Sequence, residues 1–172
     1  MAVTDDLTVL ALQERELHWP LFNEAMAWQI GLRLRELALA RQLSVVIDVR
    51  RFGQPLFYSA LPGTSPDHAE WVRRKSNVVA RFHRSSYRVG LELAQNQTSL
   101  PEKFGLPVAD YATHGGSFPI HVVQAGILGS LTVSGLAQRA DHELVVEALC
   151  SQLGKNHGAL ALAQPGCQPP GF

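Results

Sequence analysis

The sequence predicts an α+β domain in which an antiparallel sheet of about five strands carries helices on its faces. Three observations predict it. Residues 43–60 and 119–134 each read as two β-branched or apolar runs joined by a glycine-bearing turn. Residues 21–42, 65–84 and 136–153 carry apolar side chains at helical spacing. There is no internal repeat, so the order helix, hairpin, helices, hairpin, helix describes one layered unit.

Residues 4–15 predict a first helix, with Leu7, Leu10 and Ala11 on it and acids in its first turn. Residues 16–19 read as a short strand before Pro20. The helix over residues 21–42 has Leu21, Ala25, Trp28, Leu32 and Leu39 on its expected inner face, widened by Ile30, Leu34 and Leu37. Being apolar around so much of its circumference, it is expected to be covered on two sides, by the sheet and by a neighbouring helix or subunit. Residues 43–49 and 54–60 form a hairpin about Arg50-Arg51-Phe52-Gly53. Ser65-Pro66-Asp67 then signals a helix start: a capping hydroxyl, proline at the first helical position and an acid in the first turn. That helix runs to Arg84, with Trp71, Val72, Lys75, Val78, Val79 and Phe82 inward or flanking. Ser85-Ser86 caps a short helix over residues 87–94. The long segment 95–117 is expected to hold helical turns near residues 100–104 and 108–111. In the last helix Leu144, Val145, Ala148, Leu149 and Gln152 face inward, and Gly154 stops it. The domain is thus expected over residues 1–154, with the Gly- and Pro-rich residues 155–172 as a mobile tail.

Hydrophobic residues make up 46% of the 172, enough for a packed core. Lysine and arginine balance aspartate and glutamate at fifteen each, so no overall field favours nucleic acid or an anionic membrane. No window approaches the roughly 20 apolar residues of a membrane span. The first residues lack the basic and apolar regions of a signal peptide. A cytoplasmic location is therefore expected, with Cys150 and Cys167 as reduced thiols. Phosphate-loop, nucleophile-elbow, Cys-x-x-Cys and His-Glu-x-x-His patterns are all absent, and no metal-ligand spacing stands in their place.

Four stretches carry a family resemblance: Ala60-Leu61-Pro62-Gly63-Thr64-Ser65-Pro66, Trp71-Val72-Arg73-Arg74-Lys75-Ser76-Asn77, Tyr111-Ala112-Thr113-His114-Gly115-Gly116-Ser117-Phe118-Pro119-Ile120, and Val133-Ser134-Gly135-Leu136 with Asp141-His142. Together they resemble the haem-degrading-domain family, the GlcG/HbpS-like proteins that include the C-terminal domain of PduO, in a branch of small single domains. The resemblance implies a profilin-like layered domain assembled into symmetric homo-oligomers. It also implies a small-molecule ligand, with haem or a corrinoid as the family's examples.

His114 is the foremost candidate contact. It lies at a loop-to-strand junction beside Gly115 and Gly116, which can expose backbone N–H groups to a ligand, and imidazole can ligate haem iron. The alternative is a locally hydrogen-bonded turn residue. Asp141 extends the inner face of the last helix, where a buried carboxylate must be paired or hydrogen-bonded, or else shift its pKa and protonate. It is either an anchor to the strand-end backbone near Ser134-Gly135 or a ligand contact, together with His142 or His114. Adjacent helical residues point about 100° apart, so Asp141-His142 is a weak metal signal. Arg73, Arg74, Lys75, Arg81 and Arg84 are the one basic concentration, able to receive carboxylates or phosphates or else to form a solvated face; Arg74 and Lys75 are the candidates taken from it. His68, in the first turn of that helix, is a second candidate haem ligand. Trp19, Trp28 and Trp71 read as core or interface aromatics. These residues suit an oligomeric binding module, an enzyme using His114 or Asp141 as acid or base, or a protein-interaction scaffold.

Overall fold

The computed structural model describes residues 2–163. Its elements in chain order are α1 (Ala2–Glu16), β1 (His18–Trp19), α2 (Glu24–Ala40), β2 (Val46–Arg51), β3 (Gln54–Ala60), α3 (Asp67–Phe82), α4 (Ser86–Gln95), α5 (Leu100–Phe104), β4 (Ser117–Val122), β5 (Gly126–Ser134), α6 (Gln138–Leu153) and α7 (His157–Leu160). Five strands form one sheet in the order β1-β4-β5-β2-β3. The two expected hairpins, β2–β3 and β4–β5, are joined through β2 and β5, and all three of these pairings are antiparallel. The sheet is nonetheless mixed, because β1 runs parallel to β4 through His18↔His121 and Trp19↔Val122. Two residues of β1 suffice because the His18 ring stacks on His121 at 3.8 Å and Trp19 is buried.

Strand alternation gives the sheet two unlike faces. Ile47 pairs with Val133, and Val49 with Leu131, on a face shared with Phe118 and Ile120. These side chains form one buried cluster with Ala27, Ile30, Leu34 and Ala38 of α2 and Leu144, Val145, Ala148 and Leu149 of α6. The opposite face, under α3, carries Asp48, Ser117, Ser130, Thr132 and Ser134, all buried.

α2 is turned from its expected orientation. Its buried stripe is Ala27, Ile30, Gly31, Leu34 and Ala38, while Leu21, Ala25, Trp28, Leu32 and Leu39 are exposed. Side-chain size explains the difference. The small residues let the helix approach the sheet so closely that a methyl group on Gly31 would lie 2.4 Å from the Phe57 ring. A stripe of bulky side chains would hold the helix away.

Two further expectations change. Ser65 does not cap α3: its Oγ meets His68 Nδ1 at 3.1 Å, and Pro66 occupies the cap position. Ser85 does cap α4, accepting from Arg88 N–H. The segment read as a mobile tail begins by docking. Leu160 and Leu162 are buried, Gln13 Nε2 donates to Leu160 O at 2.7 Å, and Leu162 N–H donates to Glu143. Residues 164–172, including Cys167, lie outside the described part. No helix among the described residues is long and apolar enough to cross a membrane.

His142 also belongs to this interior rather than to a ligand site. It is fully buried beside Tyr87 and Phe118 and meets Gln13 Oε1 at 2.8 Å. Because Gln13 gives its amide N–H to Leu160 O, its oxygen must accept, which assigns the proton to His142 Nε2. Burial pushes the His142 pKa down from 6.5 to about 3. Between those values the unfolded chain binds a proton that the native state refuses, so stability is lost as pH falls. This residue alone should lower the unfolding free energy by about 1.4 kcal/mol per pH unit across that window. Urea denaturation at a series of pH values should therefore give a shallower slope for His142→Gln than for the parent. An equal slope would show that His142 is not buried neutral.

Candidate functional site

The first half of α3 supplies one wall of a cleft of about 240 Å³, with His68, Trp71 and Lys75 spaced to share one helix face. The end of β5 and the start of α6 supply the other, with Ser134, Gly135, Leu136, Gln138 and Asp141, and His114 stands at the rim.

Asp141 and Lys75 form the floor, with side chains only 1% and 3% exposed. Lys75 Nζ lies 3.0 Å from Asp141 Oδ2 and 3.3 Å from both Ser134 Oγ and Val133 O, so each ammonium N–H has an acceptor. Asp141 also accepts the backbone N–H of Leu136 at 2.9 Å and of Gly135 at 3.3 Å. These two N–H groups precede the cap residue Ala137, so Asp141 ties the end of β5 to the first turn of α6 rather than capping the helix. Burial pushes the Asp141 carboxyl up and the Lys75 ammonium down, and their mutual attraction opposes both shifts.

The two glycines serve close packing rather than ligand exposure. A methyl group on Gly115 would fall 2.1 Å from Gln138 O, and one on Gly116 the same distance from Val133 O and 3.1 Å from Lys75 Nζ. Gly115 N–H is directed to Gln138 Oε1 at 3.4 Å, and Gly116, at φ +125°, accepts Val133 N–H through its carbonyl. Ser86 Oγ fastens the same loop by donating to His114 O at 2.6 Å.

His114 itself is exposed, edge-on to Trp71 with ring centroids 5.0 Å apart. Partial burial, then the charges of Lys75 and Arg74, hold its pKa below the ordinary histidine value, so the imidazole is neutral at pH 7. His68 accepts Ser65 N–H at Nδ1, which leaves Nε2 as its free nitrogen. Arg74 stacks its guanidinium 4.2 Å over Trp71. Of the rest of the basic run, Arg73 pairs with Glu70 and Asp110 and Arg84 with Glu92, while Arg81 is exposed.

His68, Lys75, His114 and Asp141 thus converge on one cleft, Gly115 and Gly116 shape it from behind, and Arg74 stands across Trp71. His142 is separated from them because it leaves α6 toward Gln13. Trp71, Ser134 and Gln138 were not singled out from sequence as cleft residues. The i, i+3, i+7 spacing of His68, Trp71 and Lys75 was the available signal for the first. No cluster of three or more His, Cys, Asp or Glu suited to a metal ion occurs among the described residues.

Residues 22–150 match the family described as haem degrading protein HbpS-like. The chain belongs to this family. A UPF0303 protein of Acidobacterium capsulatum is 60% identical over 164 residues, covering 95% of this chain and 99% of the relative. Among solved structures, Ybr137w protein superposes with a TM-score of 0.82 at 25% identity, over 89% of this chain and 92% of that one. A haem complex of PduOC superposes with a TM-score of 0.64 at 17% identity, over 76% and 94%, and so shares the fold.

Removing one partner of the buried pair leaves the other charge uncompensated, whereas removing both strands no charge and leaves only the Leu136 and Gly135 N–H groups without their acceptor. Asp141→Asn should lower stability by about 3–5 kcal/mol, and Lys75→Met combined with Asp141→Leu should cost less. Chemical denaturation of the three proteins checks the order. A single variant as stable as the parent would mean that the pair does not hold these elements together.

Proposed function

We propose that the protein is a binding module for a small anionic molecule held against His114, with haem as the first candidate. The observation that carries this reading is an exposed imidazole at the rim of a cleft, against Trp71 and with a fixed ammonium–carboxylate pair beneath it. A neutral imidazole offers a lone pair to iron, and the nearby Arg74 guanidinium favours an anion, the Lys75 charge being balanced by Asp141. Family membership and the haem-bound PduOC neighbour support haem as the ligand to test first. At about 240 Å³ the cleft would enclose a small metabolite or one edge of a macrocycle, since pockets that envelop larger ligands run from about 300 Å³ upward.

Binding is favoured over acid–base catalysis by the state of Asp141. Its oxygens already receive two backbone N–H groups and an ammonium, so taking a proton would forfeit those bonds. Haemin titrated into the purified protein should give a sharp, saturable Soret band that is lost in His114→Ala and kept in His68→Ala. A broad, unsaturating change that survives both substitutions would overturn haem as the ligand.

The reading includes self-assembly. Trp28, Leu32 and Leu39 leave an apolar stripe on the outer side of α2, with Leu21 exposed just before it, and the neighbouring β3 is an edge strand with Tyr58 exposed. Exposed apolar stripes and open edges favour pairing with a second copy. Light scattering after size exclusion should show an oligomer for the parent and a smaller species for Trp28→Glu. A monomeric parent would remove this part of the reading.

A further inference from the structure

Arg74 borders a second cleft that the reading above does not use. It has a volume of about 280 Å³ and lies on the other side of His114, which is common to both clefts. The stacked pair of Arg74 over Trp71 stands between them: Trp71 lines the first and Arg74 the second. The walls of the second cleft are Leu93 from α4, Leu100 from α5, and Val108 and Tyr111 from the connecting segment. Behind them Leu93 and Leu100 belong to a small apolar cluster that also contains Val78, Val89 and Leu106.

The charge at this apolar cleft is unbalanced. Among the described residues no carboxylate lies within salt-bridge distance of Arg74, because Glu70 and Asp110, the acids around it, are taken by Arg73. The only hydrogen bond of the Arg74 guanidinium there is a long one of 3.4 Å from Nη1 to Val108 O. Its fork therefore keeps free N–H donors, while one flat side is desolvated by the indole. A guanidinium fork matches a carboxylate with two parallel bonds, and an indole beneath it holds the fork in plane. Thr98, Ser99, Thr113, Tyr111 and His114 are the further polar residues at the cleft; the Thr98 and Ser99 hydroxyls donate to Glu102, whereas the Tyr111 hydroxyl and the His114 imidazole can donate to an anion.

We propose that this second cleft binds a short monocarboxylic acid with an apolar body, its carboxylate on Arg74 and its body along Leu93, Leu100 and Val108. The assignment rests on the unpaired guanidinium and the apolar walls. It shares His114 and Arg74 with the haem reading but requires no haem, so acid binding without haemin binding, or the reverse, separates the two.

The test uses the full-length protein with hexanoate and phenylacetate as probes, followed by NMR of labelled leucine methyl groups and by calorimetry. Both acids should shift the Leu93 and Leu100 methyl signals saturably, and hexanol should bind at least tenfold more weakly. Arg74→Gln should weaken both acids at least tenfold. Arg74→Lys should lie between, since it keeps the charge and loses the fork. Arg74 is half-exposed on a helix, and circular dichroism checks that both variants stay folded. The proposal is overturned if neither acid binds at millimolar concentration, if hexanol binds as well as hexanoate, or if Arg74→Gln leaves the affinity unchanged.

Discussion

The Lys75–Asp141 pair is the contact on which the cleft's geometry depends. It joins the middle of α3 to two elements distant from it in sequence, the end of β5 and the first turn of α6. Burying two charges is unfavourable in itself, and attraction between them offsets this only when their remaining hydrogen-bonding capacity is also met. Here it is met by Ser134 Oγ, Val133 O and the two backbone N–H groups after the strand. Such a pair adds little net stability and much definition, because any displacement of α3 along the sheet leaves a charge stranded.

That definition is needed because α3 lies over the polar face of the sheet. On the other face, branched and aromatic side chains of β2, β4 and β5 interlock with α2 and α6, and apolar burial at roughly 25 cal/mol per Å² supplies most of the cohesion. Under α3 the strands present short hydroxyls, and their bonds are directional rather than space-filling. Ser117 Oγ meets Thr132 Oγ1 at 2.8 Å, and Asp48 is held bidentately by Arg50 at 2.6 and 2.9 Å. A layer of this kind positions a helix precisely only where a few strong polar contacts fix it. The cleft opens at the end of that layer, where polar and apolar walls meet.

Membership of the HbpS-like family accounts for the architecture, and Ybr137w protein and PduOC share it at low identity. Fold alone does not carry a ligand from one member to another. Around His114 the side chains are this chain's own: the histidine borders both a polar cleft with a charged floor and a more apolar cleft with one guanidinium at its border.

Much of this was legible in the residues in order. Period-two runs about Gly53 and Gly126 gave the hairpins, Ser85 and Gly154 marked helix ends, and the position of Asp141 on its helix required a buried, paired carboxylate. Those signals are local, since they depend on neighbours within a turn or a strand. The facing of α2 escaped because hydrophobicity alone ranks Trp28 and Leu32 above Ala27 and Gly31, whereas close approach to Phe57 selects the small residues. The docking of Leu160 and Leu162 escaped because a Gly- and Pro-rich composition does not show that Gln13 and Glu143 wait to bind the backbone there. Nor could the sequence separate His142 from Asp141, although they are adjacent. The sequence by itself determined the elements and the need for a partner at Asp141. Only the tertiary structure decided that the partner is Lys75, sixty-six positions away, and that His114 stands beside them. Such pairings follow from how the layers pack, which depends on side-chain volume and long-range burial rather than on local spacing.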